Sequence, residues 1–353
     1  MNCLLHMDRI QIQNTLMMQL FNLYEQKGKA FYYKDVFSSD DLTMVRQTLE
    51  NDVIAIGSFL ELNITQPRLK LLANQRREYV AKNKEEKLLL NIKEALELIQ
   101  ELSDDFSLSV NETNDLVGIL FRDLDRPTYR IKGAHISRIT VPFDKLPSDQ
   151  QLIKLITKYN EIKRSKKYEL ITIISNFYVD FIQIQPYTSH NELIALIIIY
   201  TIIAKEFHVC RYDSFFSVFN HFKARFSNSL ISAFYDWENG LSQTDPLVKV
   251  FVDSLEIMHK NVEKLERNYL FDTKLNKTDA IEAIIMNGNS VFSKNDIREK
   301  APLASESTIN RTLNLLKKEG IIVPLGQGRS AKWQRVVSKN EKFTVESLNL
   351  FSE

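Results

Sequence analysis

Between Phe181 and Leu193 the chain reads Phe-Ile-Gln-Ile-Gln-Pro-Tyr-Thr-Ser-His-Asn-Glu-Leu, which sets Gln185, Ser189, His190 and Glu192 close together. His190 is the one histidine of the chain that lies in this stretch. Ser189 to Glu192 has the S-x-x-E form of a capping box, in which Glu192 folds back on the start of a helix. Such a helix supplies its own anion at the end where a phosphate would otherwise bind. The six histidines, His6, His135, His190, His208, His221 and His259, show no H-E-x-x-H or other ligand spacing, so no metal is expected. Neither a P-loop nor a nucleophile elbow is present. No glycine lies between Gly133 and Gly240, which excludes a Gly-rich phosphate loop from the centre of the chain.

The elements that must position this stretch are helices. Tyr168–Ile184 leads into it and Asn191–Glu206 leads out. Leu193–Ile203 is apolar on every side but far shorter than the about 20 residues a bilayer demands, so it reads as a buried helix. Upstream, Ile10–Tyr24, Leu42–Ile56 (opened by Ser39-Asp40-Asp41) and Val80–Leu102 carry apolar residues at helical spacing. Asp149–Lys163 does the same, and the charged run Glu161–Lys167 reads as a loop. Tyr129–Pro147 differs: Ile131, Ile136, Ile139, Thr140 and Val141 are β-formers between prolines, which predicts a short extended or hairpin piece. Composition agrees. The chain has 9 glycines in 353 residues, about 2.5%, against an average near 7%. Sheet-rich folds need many tight turns, so the expected class is mostly all-α.

The net charge of +1 hides an asymmetry. Thr273–Lys339 holds 12 Lys+Arg against 6 Asp+Glu, while 340–353 holds one Lys against three Glu. A basic module with an acidic tail follows a mildly acidic body. Cys3 and Cys210 make no disulfide framework, and Asp8 and Arg9 interrupt any leader pattern, so a reducing cytoplasm is expected.

The basic module has the organisation of a winged helix-turn-helix. Thr278–Met286 is a first helix. Ser293 caps a second, ending at Lys300, with Asp296 three residues on. Ser305 or Ser307 caps a third, which runs to Glu319 and stops at Gly320. Ile309, Leu313 and Leu316 face the core. Ser307, Asn310, Arg311, Asn314, Lys317 and Lys318 are left for the open faces. Ile321–Val323 and Lys332–Val336 read as strands flanking a basic wing that carries Arg329. A third helix of this kind can enter a major groove, with Arg329 and Lys332 on phosphates.

The stretch 181–193 resembles the signature of the Fic family, H-P-F-x-[DE]-G-N-G-R-x-x-R. Pro186 and Asn191 match it, and Tyr187 replaces Phe. Gln185 stands at the catalytic His, Ser189 at the metal carboxylate, His190 and Glu192 at the glycines, and Leu193 and Leu196 at the arginines. Gly57–Thr65 resembles the family's inhibitory helix, with Glu61 at the inhibitory glutamate and its usual arginine partner replaced by Leu196. The resemblance implies an N-terminal helical domain over 1–110, a Fic-like core over 111–270 with a hairpin flap, and a winged helix over 273–338.

Family chemistry moves AMP or a related group onto a hydroxyl and needs a base, which Gln185 cannot be. The expectation is therefore a catalytically degenerate, homodimeric protein that binds double-stranded DNA or a protein partner and regulates transcription. No cofactor or membrane is expected. Two alternatives stay open: a divergent nucleotidyl transferase using ATP and magnesium, and a pure interaction scaffold.

Overall fold

The computed structural model describes residues 2–10, 12–74, 81–130, 148–274, 277–302, 304–326 and 331–336. The chain divides into two compact units, Met1–Lys264 and Leu265–Glu353. The first is built from α1 (Asn2–Leu5), α2 (Asn14–Lys29), α3 (Phe31–Val36), α4 (Asp41–Phe59), α5 (Gln66–Asn74), α6 (Lys84–Leu102) and α7 (Val110–Leu120). It continues with α8 (Ser148–Ser165), α9 (Leu170–Ile184), α10 (Asn191–Glu206), α11 (Phe215–His221), α12 (Lys223–Phe234) and most of α13 (Asp245–Lys274). Among the described residues its one pairing of extended backbone is the isolated bridge between Tyr129 and Tyr187. No described helix is long and apolar enough to cross a membrane. The fold is mostly all-α, as the glycine count implies.

Helices α9 and α10 form the centre. From Ile171 to Ile184 every residue of α9 is buried, and α10 is buried from Leu193 to Ala204. A helix that is apolar all round needs neighbours on every side. For α9 these include α1, α8, α10 and α12. Glu169 opens α9, its carboxylate accepting from the N–H groups of Ile171 and Thr172.

Two buried carboxylates tie distant segments to this centre. Asp180 of α9 accepts from the N–H groups of Cys3 and Leu4 and from Trp237 Nε1. Asp52 of α4 accepts from Ser214 Oγ at 2.6 Å and Phe216 N–H at 2.9 Å. Because each accepts from several donors, neither is left unsatisfied in the interior.

One sequence expectation fails here. The run Glu161–Lys167 is not a loop throughout: α8 continues to Ser165, because Ile162 completes the buried stripe of Leu152, Leu155, Ile156 and Tyr159. One apolar residue at the right spacing outweighs the surrounding charge. The expected hairpin at 129–147 lies outside the described residues beyond Arg130.

The second unit runs α14 (Lys277–Asn287), β1 (Val291–Ser293), α15 (Lys294–Lys300), α16 (Glu306–Lys318), β2 (Ile322–Pro324) and β3 (Lys332–Arg335). Sequence reading expected two strands; there are three, antiparallel in the order β1-β3-β2. The missed β1 is three residues long and ends at the cap Ser293, too short for an alternating pattern to show. Phe292 pairs with Trp333, and both join Ile281, Ile285, Ile297, Ile309, Leu313, Leu316 and Ile322 in one core. Ser293 and Asp296 form the full capping box. Ser305 caps α16 by accepting from Thr308 N–H. Gly320 takes a φ of 74°, and the N–H groups of Gly320 and Ile321 reach back to the carbonyls of Lys317 and Leu316. That is a Schellman stop, which a left-handed glycine makes without strain.

Candidate functional site

The turn between α9 and α10 is built by its own side chains. Gln185 ends α9 in the left-handed region, with φ 45°, while its N–H closes on the Phe181 carbonyl at 3.0 Å. Asn191 then ties the turn. Its Oδ1 accepts from Tyr187 N–H at 3.0 Å, and its Nδ2 donates to the Tyr187 carbonyl at 2.8 Å. His190, also left-handed, occupies the N-cap of α10.

The capping box expected from Ser189 and Glu192 does not form. No side chain caps α10, and Glu192 is exposed. A capping box needs its first residue in the N-cap place; here His190 holds that place, so the S-x-x-E spacing is out of register by one. The sequence implied that Glu192 covers the first-turn N–H groups of α10, and it does not. His190 rests one ring face on Phe121, with centroids 4.8 Å apart. Although much of its surface is open, burial of that face lowers its pKa.

The extended segment 128–130 lies along the turn. Arg130 N–H donates to the Pro186 carbonyl at 3.0 Å, and Thr188 N–H donates to the Thr128 carbonyl at 2.9 Å. Tyr129 and Tyr187 stack at 5.2 Å, 17° from parallel, and both phenols donate to Asn114 Oδ1, at 2.8 and 3.1 Å. Burial, together with Tyr129, pushes the Tyr187 phenol well up, so it stays a donor. Buried Arg130 sends Nη2 to the Ile184 carbonyl at 2.8 Å, placing a cation at the C-terminal end of α9, where the helix dipole favours it. Asn114, Tyr129 and Arg130 were missed by sequence reasoning. Asn114 lies 73 residues from Tyr187, and no local pattern joins them.

Glu61 sits elsewhere in the unit, just past the end of α4. It adopts φ 54°, and the N–H groups of Glu61 and Leu62 bond to the carbonyls of Ser58 and Gly57. This is the Schellman stop again, with a glutamate where glycine is usual. Its carboxylate takes a hydrogen bond from Lys223 Nζ at 2.6 Å, which lowers its pKa; the same Nζ also donates to the Phe59 carbonyl. Gly57 is a close-packing position: a Cβ there would fall 2.9 Å from Leu69 Cδ2.

In the second unit, α16 separates its faces. Ile309, Thr312, Leu313 and Leu316 are buried. Ser307, Arg311, Asn314, Lys317 and Lys318 are exposed, Asn310 is half-buried, and Lys332 is exposed on β3. Arg329 lies outside the described residues.

No family model and no curated protein sequence matches the chain. Among solved structures, a Fic family protein from Desulfovibrio desulfuricans superposes with a TM-score of 0.57 at 16% identity, covering 93% of this chain and 98% of that one. The fold is that of the Fic proteins. A fragment of Fic-1 from C. elegans superposes with a TM-score of 0.53 at 13% identity, over 69% of this chain and 71% of that one. Within this Fic fold, α9 and α10 carry the stretch that resembles the Fic signature, and Glu61 follows the helix that resembles the inhibitory one.

Proposed function

We propose that this Fic-fold protein performs no group transfer and acts as a regulator that binds double-stranded DNA through its second unit, a winged helix-turn-helix. The observation that carries the reading is a set of exposed, unpaired cations on α16. In the first unit half-buried cations are committed to carboxylates, Lys27 to Glu206, Arg68 to Glu86, Arg211 to Asp41 and Lys223 to Glu61, as are exposed Arg122 to Glu94 and Arg225 to Asp253. On α16, the side chains of Arg311, Lys317 and Lys318 make no hydrogen bond or ion pair among the described residues. Uncommitted cations along one helix are what a phosphate backbone attracts.

The signature turn supports the other half of the reading. Nucleotide and magnesium do not suit its residues: Gln185 holds no transferable proton, and Ser189 stands where the metal carboxylate would be. Leu193 and Leu196, at the arginine positions, are buried in α10. The side chains that could respond to a ligand, Tyr187 and Asn191, are spent on holding the turn shut.

The test is a gel-shift series with mixed duplex DNA at low salt. Binding that weakens linearly in log–log form as salt rises is expected. Absence of any shifted species at the lowest salt would overturn the DNA reading and leave the second unit as a protein contact.

A further inference from the structure

With 100° per residue, Ser307, Arg311, Asn314 and Lys318 fall on one line of α16, at i, i+4, i+7 and i+11. That line is diametrically opposite the buried set Ile309, Thr312, Leu313 and Leu316. All four are exposed, and among the described residues Arg311, Asn314 and Lys318 have no partner. Ser307 shares its hydroxyl with Ser305 Oγ at 2.7 Å, at the capped start of the helix. Both ends of α16 are fixed, by the Ser305 cap and the Gly320 stop, so the stripe is presented on a rigid rod.

The stripe is not uniformly basic. Its two central members are the residues whose planar ends match single purines: Arg pairs with O6 and N7 of guanine, and Asn with N6 and N7 of adenine. Three residues of helix rise about 4.5 Å, and base pairs rise about 3.4 Å, so the two side chains reach neighbouring or next-neighbouring pairs. Lys318, about three turns from the helix start, ends the line with a point charge suited to phosphate.

Resting on the proposed DNA binding, we infer that α16 reads a guanine with Arg311 and an adenine with Asn314, within two base pairs of each other in the major groove, while Lys318 holds the backbone.

The experiment uses the full chain. Duplexes are selected from a randomised pool at low salt, sequenced, and the enriched site is varied one base at a time. Enrichment of a guanine and an adenine within two base pairs is expected. Arg311→Ala should lose roughly 10- to 100-fold on that site and become indifferent at the guanine alone; Asn314→Ala should do so at the adenine alone. Replacing either purine by its 7-deaza analogue should weaken the wild type and leave the matching variant unmoved. Lys318→Ala should weaken all duplexes alike. Because these side chains are exposed and uncommitted, the variants should keep the wild-type unfolding midpoint. Selected binding that lacks the purine pair, or survives Arg311→Ala with its preference intact, overturns the inference while DNA binding stands. Failure to bind any duplex overturns both.

Discussion

Asn191 grips Tyr187 at both ends of one residue, taking its N–H at 3.0 Å and giving a hydrogen to its carbonyl at 2.8 Å. One side chain thereby closes the turn that joins the two central helices. Asn191→Ala leaves both buried backbone groups without this partner and should cost about 1–3 kcal/mol in urea denaturation. Asn191→Asp keeps the acceptor and loses the donor, so it should fall between. A loss below about 0.5 kcal/mol for Asn191→Ala would mean the bridge to Tyr129 holds the turn unaided.

Glu61 should have no hold on catalysis. Labelled ATP with magnesium or manganese should leave neither the wild type nor Glu61→Gly modified, nor should UMP or phosphocholine donors. A missing general base alone removes roughly 10²–10⁴ in rate. Glu61→Gly should nonetheless keep or slightly raise stability, because glycine takes the left-handed stop without strain while only an exposed pair with Lys223 is lost. Labelling that rises in Glu61→Gly and vanishes when Gln185, His190 or Glu192 is changed would establish a divergent transferase.

Asp52 should make stability fall with pH. Burial raises its pKa from 3.8 to about 7, outweighing the opposing hydrogen bonds from Ser214 and Phe216. A raised folded pKa means the folded state holds the proton more tightly. Its contribution is therefore full below the unfolded pKa of 3.8 and is lost as pH rises through about 7. Between about pH 4 and pH 7 the wild type should lose stability relative to Asp52→Asn, whose amide still accepts from Ser214 and cannot ionise. Parallel urea midpoints for the two across that range would show that Asp52 stays charged.

Lys332 should act on all DNA alike. It is exposed on β3 and belongs to a different element from the α16 stripe. Lys332→Ala should weaken every duplex by a similar factor and reduce the salt slope by about 0.9, one phosphate contact. A change in base preference instead would place Lys332 against a base edge.

Much of the fold could be read from the chain because it is written in local patterns. Scarce glycine, the apolar run Leu193–Ile203, the capping box of Ser293 and Asp296, and the stop at Gly320 each act within one helix or its next turn, so spacing reveals them. The stripe opposite Ile309, Leu313 and Leu316 is equally local. What only tertiary structure decided depends on groups far apart in sequence or on single backbone angles. Glu192 has capping-box spacing, yet a left-handed His190 takes the cap and shifts the register. Glu61 pairs with Lys223, 162 residues away, because α4 ends beside the start of α12. Asn114, Tyr129 and Arg130 become parts of the turn only when the chain brings residues 128–130 alongside 186–188. Hydrogen bonds made after long loop closure leave no periodicity in the sequence, so no reading along the chain alone can find them.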